Sequence, residues 1–188
     1  MKILHIDSGL FADASVSRQL SKAIVEQLTA KHDDVIVEYL DLVKDEIPHL
    51  TAQILTGQQS EQTQLTDQII NQYLDADVIV VGAGMYNFGL SSHLKAWIDR
   101  ICAAGRTFKY TETGPVGLAG NKTVYIASAR GGVYGENNPL DSQESLLKTV
   151  FNFTGISDVH IIRAEGVNMG EEAKKAALDQ AMQQIKAI

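Results

Sequence analysis

The chain has 188 residues, of which 45% are apolar and 21% are charged, and its formal net charge is −7. This composition is typical of a globular protein long enough to bury a core, and the acidity argues against a protein that binds nucleic acid through its phosphates. The single cysteine, Cys102, excludes an intrachain disulfide framework and a zinc cluster of thiolates.

The first residues, MKILHID, contain no export leader with a basic start and a long apolar run. The longest apolar run, residues 78–85, is far too short to cross a bilayer. We therefore expect a cytoplasmic protein that does not bind membranes. No repeat or linker divides the chain, so residues 1–188 are expected to form one domain.

Five short runs rich in β-branched residues are predicted to be strands. They cover residues 2–6, 34–40, 77–83, 122–128 and 158–164. Four of them are almost continuously apolar, which is typical of parallel strands covered on both faces. The run 34–40 carries Glu38 in its middle and is more typical of an edge strand.

Helical spacing of apolar residues alternates with these strands. It predicts helices over 17–31, 62–74, 90–103, 142–154 and 171–187, the first with Ser17 as a plausible cap. Alternation of strand and helix predicts an α/β fold, with a doubly wound five-stranded parallel sheet in the order 2-1-3-4-5 and helices on both faces. The segment TFKYT and the Gly-Pro pair within residues 105–120 predict an additional hairpin.

The first loop should lie at the carboxyl edge of the sheet, where such folds bind ligands. Ser15, Val16 and Ser17 stand where the first helix begins. The unpaired N–H groups of a helix start, together with two hydroxyls, predict a site for a phosphate monoester. The alternative is that the serines only cap the helix. Arg18 would either assist the phosphate or lie solvated on the surface.

The loop after the third strand, VGAGMYNFGLSS, has the first two glycines of a dinucleotide fingerprint but Asn87 in place of the third. Its aromatic residues, Tyr86 and Phe88, predict a wall for a planar ring, or else they close the core. After the fourth strand, the Gly-Gly pair of SARGG either brings the backbone close to a ligand or makes a tight turn.

The remaining reactive side chains predict neither a metal site nor a nucleophilic site. The five histidines are scattered without the spacing of metal ligands, and we expect each to be structural or solvated. No Ser-His-Asp set is evident in the sequence.

The segment MYNFGLSSHLKAWIDRI, residues 85–101, resembles the signature of the FMN-dependent NADH azoreductases, which also act as quinone reductases. The resemblance extends over nearly the whole chain, through TFKYTETGPVGL, the ARGG loop, and FTGISDV followed by AEG. It implies a flavodoxin-like fold, a homodimer and a ping-pong transfer of two electrons from NADH or NADPH, through FMN, to quinones and azo compounds. The chemistry would take place on FMN, without a catalytic side chain.

The resemblance also implies the residues of the site. Those that would contact FMN are Gly9, Ser15, Val16, Ser17, Met85, Tyr86, Asn87, Phe88, Ser128, Ala129, Arg130, Gly131 and Gly132. Tyr110 and Phe153 match aromatic positions around the substrate pocket. Gly84 stands where many members have proline, and Gly9 stands where many have serine. Whether Ser128 or Ala129 touches FMN is left open.

Two other functions fit the same strand order. A flavodoxin-type electron carrier agrees with the acidity of the chain, but it does not explain the aromatic residues of the substrate pocket. A receiver-like regulator would need an aspartate at the end of the third strand, where this chain has Gly82 and Gly84.

Overall fold

A computed structural model of the protein describes residues 1–58 and 60–188. Its strands are β1 Lys2–Asp7, β2 Ile36–Asp41, β3 Val78–Gly84, β4 Phe108–Thr111, β5 Gly114–Gly117, β6 Thr123–Arg130 and β7 Asp158–Glu165. Its helices are α1 Val16–Lys31, α2 Ala52–Leu55, α3 Ser60–Asp75, α4 Ser92–Ile101, α5 Gln143–Phe153 and α6 Glu171–Lys186, with a short 3-10 turn at Ala12–Ala14.

Five parallel strands form the central sheet in the order β2-β1-β3-β6-β7. Counted among these five strands alone, this is the predicted order 2-1-3-4-5. Every residue of β3 is buried, as its continuous apolar run predicts, whereas β2 is an edge strand that is largely exposed. The order reverses between β1 and β3, which places a ligand-binding crevice at their carboxyl ends.

Helices cover both faces of the sheet, as predicted. One core cluster joins the sheet to α1 and α6 through residues such as Leu20, Ile24 and Ala181. The other joins the opposite face to α3, α4 and α5 through residues such as Tyr73 and Trp97. The alternating side chains of the parallel strands feed both clusters, so the sheet is buried between two helical layers.

Helix α1 begins one residue before the prediction, and its N-cap is Ser15 rather than Ser17. Ser15 has extended backbone angles, φ −71° and ψ 121°, so it is the last residue outside the helix. Ser17 lies within the first turn. Both serines are buried beside the carboxyl end of β1.

The predicted hairpin is confirmed as the antiparallel pair β4 and β5. A close backbone contact packs it against the main domain: a Cβ on Gly117 would lie 2.1 Å from the backbone N of Gly155. Because only hydrogen fits there, Gly117 is required for this approach. Gly155 comes just before β7, so the hairpin packs at the amino-terminal edge of the sheet.

Candidate functional site

One cavity opens at the carboxyl ends of β1, β3, β6 and β7. Its lining consists of Phe11, Ala14, Ser15, Val16, Ser17, Gly84, Met85, Tyr86, Ala129, Gly131, Val167, Asn168 and Lys174. Four separate loops therefore meet at the edge where doubly wound sheets bind their ligands. Of the residues expected to contact FMN, those that meet in this lining are Ser15, Val16, Ser17, Met85, Tyr86, Ala129 and Gly131.

The start of α1 forms one end of the cavity. The side chain of Ser15 makes no capping hydrogen bond, and its Oγ instead lies 3.1 Å from Oγ of Ser17. The first turn of the helix thus presents N–H groups that its own N-cap side chain leaves unpaired, with two hydroxyls beside them. These donors and the positive end of the helix dipole suit a phosphate monoester.

Arg18 lies next to this helix start but takes no part in the cavity lining. Its guanidinium forms two hydrogen bonds of 2.7 Å with the Asp41 carboxylate, and its Nε donates to the Gly9 carbonyl at 2.8 Å. The hydrogen bond to Asp41 raises the pKa of Arg18, and the same contact lowers the pKa of Asp41. The expectation that Arg18 is solvated is therefore wrong, and its cation is already paired.

A second polar cluster joins β1, β2 and α1 next to the first loop. Ser21 Oγ donates to Asp7 at 2.7 Å and lies 3.0 Å from His5 Nε2, while the Tyr39 hydroxyl donates to the other Asp7 oxygen at 3.0 Å. Burial and the Asp7 charge raise the pKa of Tyr39 to about 12. The serine bonds directly to the carboxylate instead of through an intervening histidine, so the cluster is not a nucleophilic triad. The structural role expected for His5 agrees with this burial.

The loop after β3 closes into a tight turn. Tyr86 and Gly89 exchange two backbone hydrogen bonds of 3.0 Å, and the central residues Asn87 and Phe88 have φ angles of 48° and 67°. Positive φ suits asparagine, but it strains phenylalanine by about 1 kcal/mol or more. The turn is therefore closed, and it holds Phe88 about half exposed.

Tyr86 forms an aromatic wall of the cavity. Its hydroxyl accepts a hydrogen bond of 2.8 Å from the backbone N of Leu10, which joins the loops after β1 and β3. Its ring lies over Gly84, where a Cβ would come within 3.1 Å of Cε2 of Tyr86. Glycine in place of the family's proline therefore lets the ring lie against the end of the strand.

The end of β6 resolves which neighbouring side chain faces the cavity. Ala129 lines it, whereas Ser128 is fully buried and its hydroxyl donates to Gln143 at 3.3 Å. Beyond the strand, the Gly131 carbonyl accepts from the backbone N of Asn168 at 3.1 Å. The loops after β6 and β7 thus lie side by side, and the Asn168 side chain covers Gly131.

Arg130 holds these loops in place from within the protein. Its side chain is fully buried, and its guanidinium pairs with Asp141 at 2.5 Å, Glu144 at 2.8 Å and Glu165 at 3.1 Å. Glu165 in turn accepts from the backbone N of Gly135. The guanidinium of Arg130 is engaged in this network, which leaves its backbone as the part that could contact a ligand.

Several expected residues lie outside the cavity lining. They are Gly9, Asn87, Phe88, Ser128, Arg130 and Gly132. A Cβ on Gly9 would lie 2.1 Å from Ser15 Oγ, so a side chain at this position would require Ser15 to shift. Tyr110 and Phe153 lie further away and flank Phe108, with ring centroids 5.5 and 4.4 Å from it.

Six lining residues were not among the contacts predicted from the sequence. They are Phe11, Ala14, Gly84, Val167, Asn168 and Lys174. The last three follow the carboxyl end of β7, at the same edge as the other loops. The predicted site was confined to the loops after the first, third and fourth strands. The rule that ligands bind at this edge applies equally to the fifth strand and would have found them.

Two properties of residues 1–58 and 60–188 bear on other functions. No cluster of three or more His, Cys, Asp or Glu side chains in these ranges is arranged to hold a metal ion. Within the same ranges, no helix has the length and apolar character needed to cross a membrane.

Comparison with known proteins places the whole chain among related sequences and structures. A family model described as a flavodoxin-like fold matches residues 1–188. An FMN-dependent NADH:quinone oxidoreductase of Azospirillum brasilense is 52% identical, over 100% of this chain and 97% of its own. A second protein of that name, from Idiomarina loihiensis, is 51% identical over the full length of both.

Solved structures agree with these sequences. An azoreductase of Bacillus anthracis superposes with a TM-score of 0.87 at 29% identity and covers 100% of both chains. An FMN-dependent NADH-azoreductase from the same species, solved in complex with FMN, gives a TM-score of 0.88 at 28% identity over 99% of this chain and 96% of its own.

Proposed function

We propose that this chain, which belongs to the family with the flavodoxin-like fold, is an FMN-dependent enzyme that transfers two electrons from NADH to quinones and aromatic azo compounds. One observation carries the proposal. The uncapped start of α1 and the Tyr86 wall face a single cavity at the carboxyl edge of the sheet. The cavity therefore has one end with N–H groups and hydroxyls, which suits the phosphate of FMN, and one aromatic end, which suits its ring.

The residues of the lining fit FMN from end to end. Ser15, Val16 and Ser17 would hold the phosphate through backbone N–H groups and hydroxyls. Met85 and Tyr86 would lie along the ribityl chain and the ring. The backbone at Gly131 would meet the polar pyrimidine edge. We also propose that the expected residues outside the lining contribute to FMN binding by holding these loops in the conformation that binds it. They are Gly9, Asn87, Phe88, Ser128, Arg130 and Gly132.

Bound FMN would supply the two-electron chemistry between NADH and the acceptor. The protein's part is to bind and orient the molecules. Tyr86 and Lys174 are the titratable side chains of the lining, and the Tyr86 hydroxyl is already bonded to the backbone of Leu10. Apart from the serine hydroxyls, the Asn168 amide and the Lys174 amine, the lining supplies main chain and apolar surface. The donor and the acceptor would stack in turn against the same open face, which would give a ping-pong order.

The purified protein is expected to be yellow and to oxidise NADH under anaerobic conditions only when a quinone or an azo dye is added. Because the donor leaves before the acceptor binds, double-reciprocal plots at several acceptor concentrations should be parallel. The measurement is steady-state absorbance at NADH and dye wavelengths. A colourless protein that does not bind added FMN would contradict the proposal. A yellow protein that NADH does not reduce would instead favour an electron carrier.

We propose that a second copy of the chain completes the substrate pocket. Tyr110 and Phe153 flank Phe108 at the amino-terminal edge of the sheet, while the cavity lies at the carboxyl edge. Strand β7 has 8 residues, so the two edges are roughly 25 Å apart. Within one subunit these side chains cannot reach the flavin. We propose a homodimer in which they approach the flavin of the partner.

Light scattering is expected to give twice the mass of one chain. Tyr110 is largely exposed in the monomer, so Tyr110→Ala should keep the fold and the bound FMN but lower kcat/KM for quinones. A monomeric wild-type protein with full activity would contradict the dimeric pocket.

We further propose that residues 1–188 act as one FMN-binding domain in the cytoplasm. This location fits the single unpaired Cys102, and cell fractionation would check it.

A further inference from the structure

The phosphate of FMN brings close to two negative charges into the cavity, since its second pKa is about 6. The chain is itself acidic, with a net charge of −7. Two arginines close to the cavity are already paired, Arg18 with Asp41 and Arg130 with three carboxylates. The serines and N–H groups of α1 supply donors but no full positive charge.

The cationic side chain in the cavity lining is Lys174. It lies in the first turns of α6 and lines the same cavity as Ser15 and Ser17. The starts of α1 and α6 are on the same face of the sheet, and the two helices pack against each other. Lys174 is half-buried, and within residues 1–58 and 60–188 its amine forms no ion pair. A lysine near a helix N-terminus opposes the helix dipole, so its position is unfavourable for the helix alone.

The next residue along the helix provides a contrast. Lys175 is not part of the cavity lining, its side chain is 78% exposed, and it pairs with Asp179 one turn later. The two neighbouring lysines therefore have the same helix propensity and charge but different surroundings. Only Lys174 faces the expected anion.

We propose that Lys174 supplies the positive charge that binds the FMN phosphate, and so makes the site select FMN over riboflavin. This assignment rests on the proposed function, because it takes FMN to be the ligand of the cavity. Lys174 would act as a cofactor-binding residue supplied by the last helix, across the cavity from the serines of the first.

The experiment compares two flavins that differ only in the phosphate. Wild type, Lys174→Ala and the matched control Lys175→Ala are stripped of flavin, and the affinities for FMN and riboflavin are measured from the quenching of flavin fluorescence. A lost charge-assisted hydrogen bond should weaken FMN binding of Lys174→Ala about 10-fold to 100-fold. Riboflavin affinity should stay unchanged in all three proteins, and Lys175→Ala should bind both flavins as wild type does.

Salt provides a second measurement. FMN affinity of the wild type should fall as ionic strength rises, and Lys174→Ala should respond less steeply. Equal weakening of FMN and riboflavin in Lys174→Ala would place the lysine at the ring and overturn the assignment to the phosphate. Unchanged FMN affinity would overturn it as well. A wild-type protein that binds neither flavin would instead overturn the proposed function.

Discussion

Replacing Ser15 with aspartate is expected to lower the affinity for FMN about 100-fold or more while leaving the flavin-free protein folded. Ser15 is the N-cap of α1, a position at which aspartate is as favourable as serine. A carboxylate there would pair with the unpaired N–H groups of the first turn, and these are the groups assigned to the phosphate. Two unit charges about 5 Å apart repel by about 3 kcal/mol at an effective dielectric constant of about 20.

Two measurements separate charge from general damage. Thermal unfolding of the flavin-free Ser15→Asp protein should occur at or slightly above the wild-type temperature, since the acid complements the helix dipole. FMN titration of Ser15→Ala, which loses only a hydroxyl, should show a loss of no more than about 10-fold. If Ser15→Asp retained FMN with wild-type affinity, the phosphate would not lie at the start of α1.

The sheet is predictable from the sequence because its signal is local. Each buried parallel strand is a continuous β-branched run, and β3 shows this most clearly with seven buried residues in a row. The hairpin is also predictable, from the alternation of TFKYT and the Gly-Pro turn. The chain order of strands and helices then leaves few topologies, and the doubly wound order is among them.

The ion-pair partners and the burial of individual charged residues are not predictable in this way, because they depend on residues distant in sequence. Arg18 is bound by Asp41, which ends a neighbouring strand 23 residues later. Arg130 and Glu165 meet because β6 and β7 pair in register. Lys174 and Lys175 are equivalent in sequence, and only the docking of α6 beside α1 distinguishes them.

The position of the helix cap shows the same limit on a smaller scale. Ser15 and Ser17 are equally good caps by residue type, and the pattern of apolar residues does not separate them. The preceding 3-10 turn determines which serine is the N-cap, because it ends at Ser15, which has extended backbone angles. The assignment of the phosphate to this loop did not depend on which serine caps the helix.

Replacing Arg130 with methionine is expected to cost about 3–5 kcal/mol of folding stability, the largest effect on stability predicted for any single residue of the site. The substitution would leave the carboxylates of Asp141, Glu144 and Glu165 buried without their shared cation. Asp141 also accepts from the backbone N of Gln143 and Glu144 at the start of α5. The melting temperature should fall by roughly 10 °C in a chain of this size.

The cost should arise from unpaired charge rather than from lost packing, and a second substitution tests this. Arg130→Met combined with Glu165→Gln removes one uncompensated charge at nearly constant volume, so it should recover part of the lost stability in a double-mutant cycle. Arg106→Met serves as the matched control, because its ion pair with Asp67 is exposed and should be worth at most about 1 kcal/mol. The same network fixes the loop at Gly131, so Arg130→Met should also release FMN more readily at temperatures where it remains folded. If Arg130→Met were as stable as Arg106→Met, the carboxylates would have to find other partners, and the buried network would not be what holds the loops of the site.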